Sequence, residues 1–128
     1  MVNGDNEMSK NPETDICNQI CYNLAMYETQ NHLKVYHIYV GGIFNVAADC
    51  YQKTGPFHPK GMSDVLVLAS GGRSFWLEVK VPGGRQREDQ VEFQRIVEGL
   101  GHIYAVVHNA AEAREVLRKA GVIGKELA

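Results

Sequence analysis

Apolar positions in this 128-residue chain change their period several times, and each change marks an element. Ile16, Ile20 and Leu24 recur every four residues with Cys17, Cys21 and Tyr27 beside them, which predicts a helix. It should begin at Asn11-Pro12-Glu13, where Asn can cap, Pro suits the first helical position and an acid faces the dipole, and run to about Gln30. Residues 1–10 are polar and are expected to fray as a flexible N-terminus. Residues 34–40 are β-rich and aromatic, Gly41-Gly42 breaks the run, and 43–48 continue the strand after a bend.

An exposed loop is expected over 52–60, which holds Gly55, Pro56 and Pro59. Residues 63–69 and 74–80 read as two strands of a hairpin joined by Ser70-Gly71-Gly72-Arg73. Pro82-Gly83-Gly84 ends the second strand. A helix from about Arg87 to Leu100 follows, with Phe93, Ile96, Val97 and Leu100 on one face and Gly101 as its stop. Residues 102–107 form a strand, and Asn109 with Glu112 makes a capping pair for a last helix to about Lys119.

The order helix, three strands, helix, strand, helix implies an α/β class. Its last strand returns through a helical crossover, which makes the sheet mixed, with helices flanking it. One domain over 11–120 accounts for the pattern, with 121–128 as a C-terminal tail.

Charge interrupts two of the apolar runs. Asp64 heads Asp64-Val65-Leu66-Val67-Leu68, and Glu78 and Lys80 close Phe75-Trp76-Leu77-Glu78-Val79-Lys80. Period two points Glu78 and Lys80 the same way, and the start of one hairpin strand lies opposite the end of the next, so the three side chains converge. Adjacent carboxylates repel unless a cation lies between them, and a hard divalent ion is satisfied by one or two protein carboxylates plus water. A lysine beside such an ion can position water or offset charge on phosphate. The alternative is an exposed same-face pair on an edge strand.

Gly61-Met62-Ser63-Asp64, Glu78-Val79-Lys80, Pro82-Gly83-Gly84-Arg85 and Gln90 together resemble the virus-type replication-repair nuclease (VRR-NUC) domain of the PD-(D/E)XK superfamily, across roughly residues 13 to 117. The resemblance implies a restriction-endonuclease-like core and hydrolysis of DNA phosphodiesters with Mg²⁺ or Mn²⁺. Asp64, Glu78 and the backbone carbonyl of Val79 would hold the ion, Lys80 would be the catalytic lysine, and Gln90 would support the lysine or the phosphate. Glu13 matches the acid on the first helix that holds water or a second ion, with Glu28 as the other choice. Ser63 stands where the family usually has proline, and Gln86-Arg87-Glu88-Asp89 replaces the usual Ser-Pro-Glu helix start.

Stand-alone relatives resemble phage and bacterial Holliday-junction resolvases, which implies branched DNA as substrate. Two symmetric cuts then call for a homodimer. Other readings are a flap-type repair nuclease, a DNA-binding module whose activity is lost or minor, and an interaction protein that binds no DNA.

Composition refines the picture. An apolar content of 45% supports a globular core. Net charge is −2, but the balance is −4 over residues 1–29, +4 over 30–87 and −2 over 88–128. The basic middle contains the expected DNA contacts Lys60, Gly83, Gly84, Arg85 and Arg87. Gly83-Gly84-Arg85 could cradle a phosphate through backbone N–H groups or form a tight turn. Trp76 and the tyrosines sit at β positions and are expected to pack, though an exposed one could stack on an unpaired base. Cys17, Cys21 and Cys50 are an odd set that suits a reducing compartment, and the sequence shows no signal peptide or span, so a cytoplasmic location in phage host or bacterium is expected. Cys17 and Cys21, with His32 and His37, could form half of a zinc site, although this spacing also aligns small core residues.

Overall fold

The computed structural model describes residues 11–38, 43–45, 50–52 and 60–124, and of the two short middle pieces only the backbone course. Helix α1, Pro12–Ala25, starts where the cap signals place it, with the Glu13 amide donating to Asn11 Oδ1 at 3.0 Å. It stops five residues before Gln30. The chain turns at Met26 and Tyr27, adds one further helical turn as α2, Glu28–Asn31, and leaves it through His32 in the left-handed region at φ 53°. Glu28 explains the early break: its Oε2 accepts from the amide of Val35 at 2.9 Å, drawing α2 onto the strand that follows.

Four strands form the main sheet in the order β1-β4-β5-β6: β1 Leu33–His37, β4 Val65–Ala69, β5 Arg73–Val79 and β6 Ile103–Val107. β4 runs antiparallel to both of its neighbours, with Val35 opposite Val67 and Val65 opposite Leu77. β6 runs parallel to β5, with Val79 opposite Val107, and the crossover between them carries α3, Glu88–Gly99. The expected α/β class and mixed sheet are present. The bent continuation of the first strand over 43–48 is not: β2, Ile43–Asn45, pairs with β3, Cys50–Gln52, as a separate two-stranded ribbon. Residues 1–10, most of the 52–60 loop and 125–128 lie outside the described residues.

Alternation along the strands divides the sheet into two unlike faces. Val65, Val67, Phe75, Leu77, Val79 and Val107 point to one face, where they meet Ile20 and Leu24 of α1 and Ala113 and Leu117 of α4, Ala110–Lys119. Each large side chain buried there contributes about 1.5–3 kcal/mol. Val122 and Ile123 are buried in the same core, so the fold extends past residue 120 into the expected tail. The α4 cap is as anticipated, with the Glu112 amide donating to Asn109 Oδ1 at 2.8 Å.

The opposite face carries Trp76, Glu78 and Tyr104 and is covered by α3. Phe93 stacks edge-on against Trp76 at 5.5 Å and lies 6.3 Å from Tyr104. Val97 is buried, but Ile96 and Leu100 are 44% and 73% exposed, against the expectation that all four share the core face. The rotation of α3 is set by Gln90, which is buried and points at the sheet one turn before Phe93. Among the described residues no helix is long and apolar enough to cross a membrane.

Candidate active site

β4 starts two residues short of the end of β5. In strict register Val79 of β5 would face Ser63, but the backbone has left the ladder by then, and the side chain of Asp64 takes its place. Asp64 Oδ2 accepts from the Val79 amide at 2.9 Å, while the Asp64 backbone carbonyl accepts from Ile38 at 2.7 Å. Asp64 is thus held between two strands. A strand residue directs its N–H and C=O to the same edge, so the Val79 carbonyl belongs to the Asp64 side.

Glu78 is 1% exposed. Its Oε2 accepts from Gln90 Nε2 at 2.8 Å, and its Oε1 is buried with no donor among the described residues. Burial pushes its carboxyl up to about 8; the charge of Asp64 adds to the effect and Lys80 opposes it. Lys80 is also buried, and its amide continues the sheet by donating to Val107 at 3.1 Å. The hairpin therefore brings Asp64, Glu78 and Lys80 together, as expected, and buries Glu78 and Lys80 instead of exposing them on an edge.

Gln90 reaches Glu78 because the start of α3 is built around it. No side chain caps the helix at Arg87; instead Gln90 Oε1 accepts from the Arg87 amide at 2.8 Å, which leaves Nε2 to face Glu78. One carboxamide thus closes the helix terminus and orients the acid. The loop before Asp64 is pressed against the same terminus at Gly61, whose φ is +73° and where a Cβ would stand 2.1 Å from the Asp89 carbonyl oxygen. Only glycine meets both conditions.

Glu13 lies in the first turn of α1, half-buried, and its charge is near enough to raise the Glu78 pKa further. Glu28 is committed elsewhere, to the Val35 amide and to Lys34 at 3.6 Å. Cys17 and Cys21 follow Glu13 at successive four-residue steps. Their thiols are hydrogen-bonded to each other; that bond and burial raise Cys17, and it lowers Cys21, with the Asp64 charge acting on both. Of the core and zinc readings, the core one holds: Cys17 is buried in the hydrophobic core and Cys21 packs against it.

Two more residues escaped notice in the sequence. Tyr104 is 7% exposed, its hydroxyl pushed up to about 12 by burial and then by the Glu78 charge, and it accepts from Gln86 Nε2 at 3.1 Å. Gln86 also donates to Gln94 at 3.0 Å, which ties the loop before α3 to the helix. The signal was present in the pattern: period two aligns Tyr104 with Trp76 on the face of Glu78.

The glycine segment forms a turn. The Gly84 amide donates to Val81 at 2.9 Å across Pro82 and Gly83, the latter at φ +83°, so it is not a donor held open for phosphate. Arg85, Arg87 and Lys60 are exposed, and Arg87 pairs with Asp89 at 3.3 Å. Lys60 adjoins Gly61 and Arg87 lies two residues from Asp89, so both flank the contact of that loop with α3.

Among the described residues no group of three or more His, Cys, Asp or Glu side chains is assembled to hold a metal, which removes the zinc arrangement of Cys17, Cys21, His32 and His37. The smaller donor set at the hairpin fits a hard ion: Asp64, the buried unpaired Glu78 Oε1 and a main-chain carbonyl are all oxygens, and Mg²⁺ or Mn²⁺ keeps several waters. Comparison of the chain with family models, with curated proteins and with solved structures finds no match.

Proposed function

We propose that this protein is a metal-dependent DNA endonuclease with a PD-(D/E)XK-type core, of the VRR-NUC kind that its motifs resemble. The observation that carries the reading is Glu78. A carboxylate 1% exposed, with one oxygen lacking a donor among the described residues and the charge of Asp64 nearby, costs several kcal/mol of desolvation and repulsion. Oxygen ligation of a divalent cation removes that cost.

In this reading Asp64, Glu78 and the Val79 carbonyl would hold Mg²⁺ or Mn²⁺, and Glu13 would hold water or a second ion. When bound, the ion lowers the pKa of water and offsets negative charge on the phosphate. Gln90 fixes the orientation of the Glu78 carboxyl by donating to Oε2. Lys80, on the same strand face two residues on, positions the attacking water and stabilises the charge that develops on the phosphate oxygens. Asp64 is kept from rotating away by the Val79 amide. Lys60, Arg85 and Arg87 supply exposed cations for the phosphate backbone.

Branched DNA such as a Holliday junction is the proposed substrate, cut by a homodimer so that two sites act on two strands. The test is incubation of the protein with a labelled four-way junction and with linear duplex of the same sequence, in Mg²⁺, Mn²⁺ or EDTA, and again with Lys80→Ala. Cutting in Mg²⁺ or Mn²⁺ that EDTA abolishes and Lys80→Ala lowers by about 10²–10³-fold is expected. Cutting that persists in EDTA or in the variant would sink the mechanism; equal cutting of both DNAs would sink junction selectivity.

A further inference from the structure

Between α1 and β1 lies an open cavity of about 370 Å³, lined among others by Asn18, Cys21, Tyr22, Glu28, Lys34 and His37. Its His37 end lies beside Asp64: the amide of the next residue, Ile38, donates to the Asp64 carbonyl at 2.7 Å. Asp64 is near enough to act electrostatically on Cys21, and His37 lies opposite Val65, one residue from Asp64 along β4. We propose that this cavity receives one unpaired nucleobase of a DNA strand whose scissile phosphate lies at Asp64 and Glu78. This rests on the nuclease reading above and names the feature of branched DNA that the site selects.

The lining decides which part of a nucleotide enters. A phosphate would need free positive charge, but Lys34 is 3.6 Å from Glu28 Oε1, and the other Glu28 oxygen is taken by the Val35 amide at 2.9 Å. The cavity wall is therefore close to neutral, and a carboxylate among its polar groups repels an anion. A flat aromatic group with a hydrogen-bonding edge suits it better. Tyr22 is 80% exposed and offers a ring face, Asn18 offers a carboxamide that can both donate and accept, and Ala25 and Val35 provide apolar surface. A paired base has its edge occupied and its faces stacked. Only a base freed from pairing, in a flap or where a branch point opens, can enter.

Direct binding separates this idea from catalysis. A single-stranded oligonucleotide carrying one 2-aminopurine is titrated with the protein in EDTA, against the same oligonucleotide in full duplex and against one with an abasic residue at the probe position. Expected are a fluorescence change on the single strand that the duplex lacks, and weaker binding of the abasic strand. Tyr22→Ala should weaken the single strand about tenfold or more, the loss of one base–aromatic stack, while Tyr22→Phe retains binding. Because Tyr22 is on the surface, circular dichroism of both variants should match the parent. Equal affinity of Tyr22→Ala and the parent, or equal response from duplex, would overturn the subsite. Absence of cutting in Mg²⁺ and Mn²⁺ would overturn the nuclease reading instead, and leave the fluorescence result standing.

Discussion

Asp64 Oδ2 accepts a hydrogen bond from the Val79 amide at 2.9 Å, so the side chain of one strand completes the ladder of the next at the point where the backbone pairing stops. This gives Asp64 a structural duty as well as a chemical one. Asp64→Asn keeps a carbonyl oxygen for the amide and should cost less than about 1 kcal/mol, while Asp64→Ala strands a buried donor and should cost about 1–3 kcal/mol. Both should abolish Mg²⁺-dependent cutting. Urea unfolding of the two variants beside the cleavage assay checks the separation.

The charge of Glu78 predicts an unusual pH dependence in the absence of divalent ions. An unfolded chain releases this proton near its ordinary value of 4.5 and the folded chain near 8, so folding takes up a proton between the two. Stability from this group is complete below the lower value and is lost as pH rises through the higher, at about 1.4 kcal/mol per pH unit in the interval. Glu78→Gln should flatten that part of the profile and be the more stable protein near pH 8, though inactive. Saturating Mg²⁺ should flatten the parent profile too. Urea midpoints from about pH 5 to pH 8 measure all three.

Gln90 joins the α3 terminus to Glu78 through two bonds of 2.8 Å. Gln90→Leu removes both and leaves a second buried carboxylate oxygen without a donor, which should cost about 2–3 kcal/mol and raise the Mg²⁺ concentration needed for half-maximal cutting. Gln90→Glu keeps the acceptor for Arg87 but sets another acid against Glu78, so it should lose more activity than Gln90→Leu at neutral pH. Metal titrations of the two variants decide the order.

Gly61 is where the loop entering β4 meets α3. An added Cβ would fall 2.1 Å from the Asp89 carbonyl oxygen in a backbone at φ +73°, so Gly61→Ala should cost about 3 kcal/mol or more. Gly71→Ala, also at positive φ but with only the Arg73 Nε 3.8 Å away, should cost about 1–2 kcal/mol. Thermal melts of the pair isolate close approach from conformation, and Gly61→Ala should also lower cutting.

Much of this site could be read before folding because its parts are local. Asp64, Glu78 and Lys80 belong to one hairpin, and a hairpin with alternating strands leaves little choice about which residues meet. The caps at Asn11 and Asn109 are likewise decided within four residues. The β2–β3 ribbon was hidden because the apolar run over 43–48 states that the residues are strand-like and says nothing of their partner. Ile96 and Leu100 were misjudged for a related reason: a helix period identifies a stripe, but its rotation here depends on Gln90 finding Glu78.

The chain alone thus determined the order and nature of most elements, the position of three charged groups at one hairpin end and the terminus of the following helix, all consequences of short-range geometry. Tertiary structure decided the rest. The burial that lifts Glu78, the choice of Glu13 over Glu28 as its acidic neighbour and the Tyr104–Gln86 contact all join residues that are well separated in sequence. Their energies depend on solvent exclusion and on which faces pack together, and neither exists until the sheet and its helices have closed around the site.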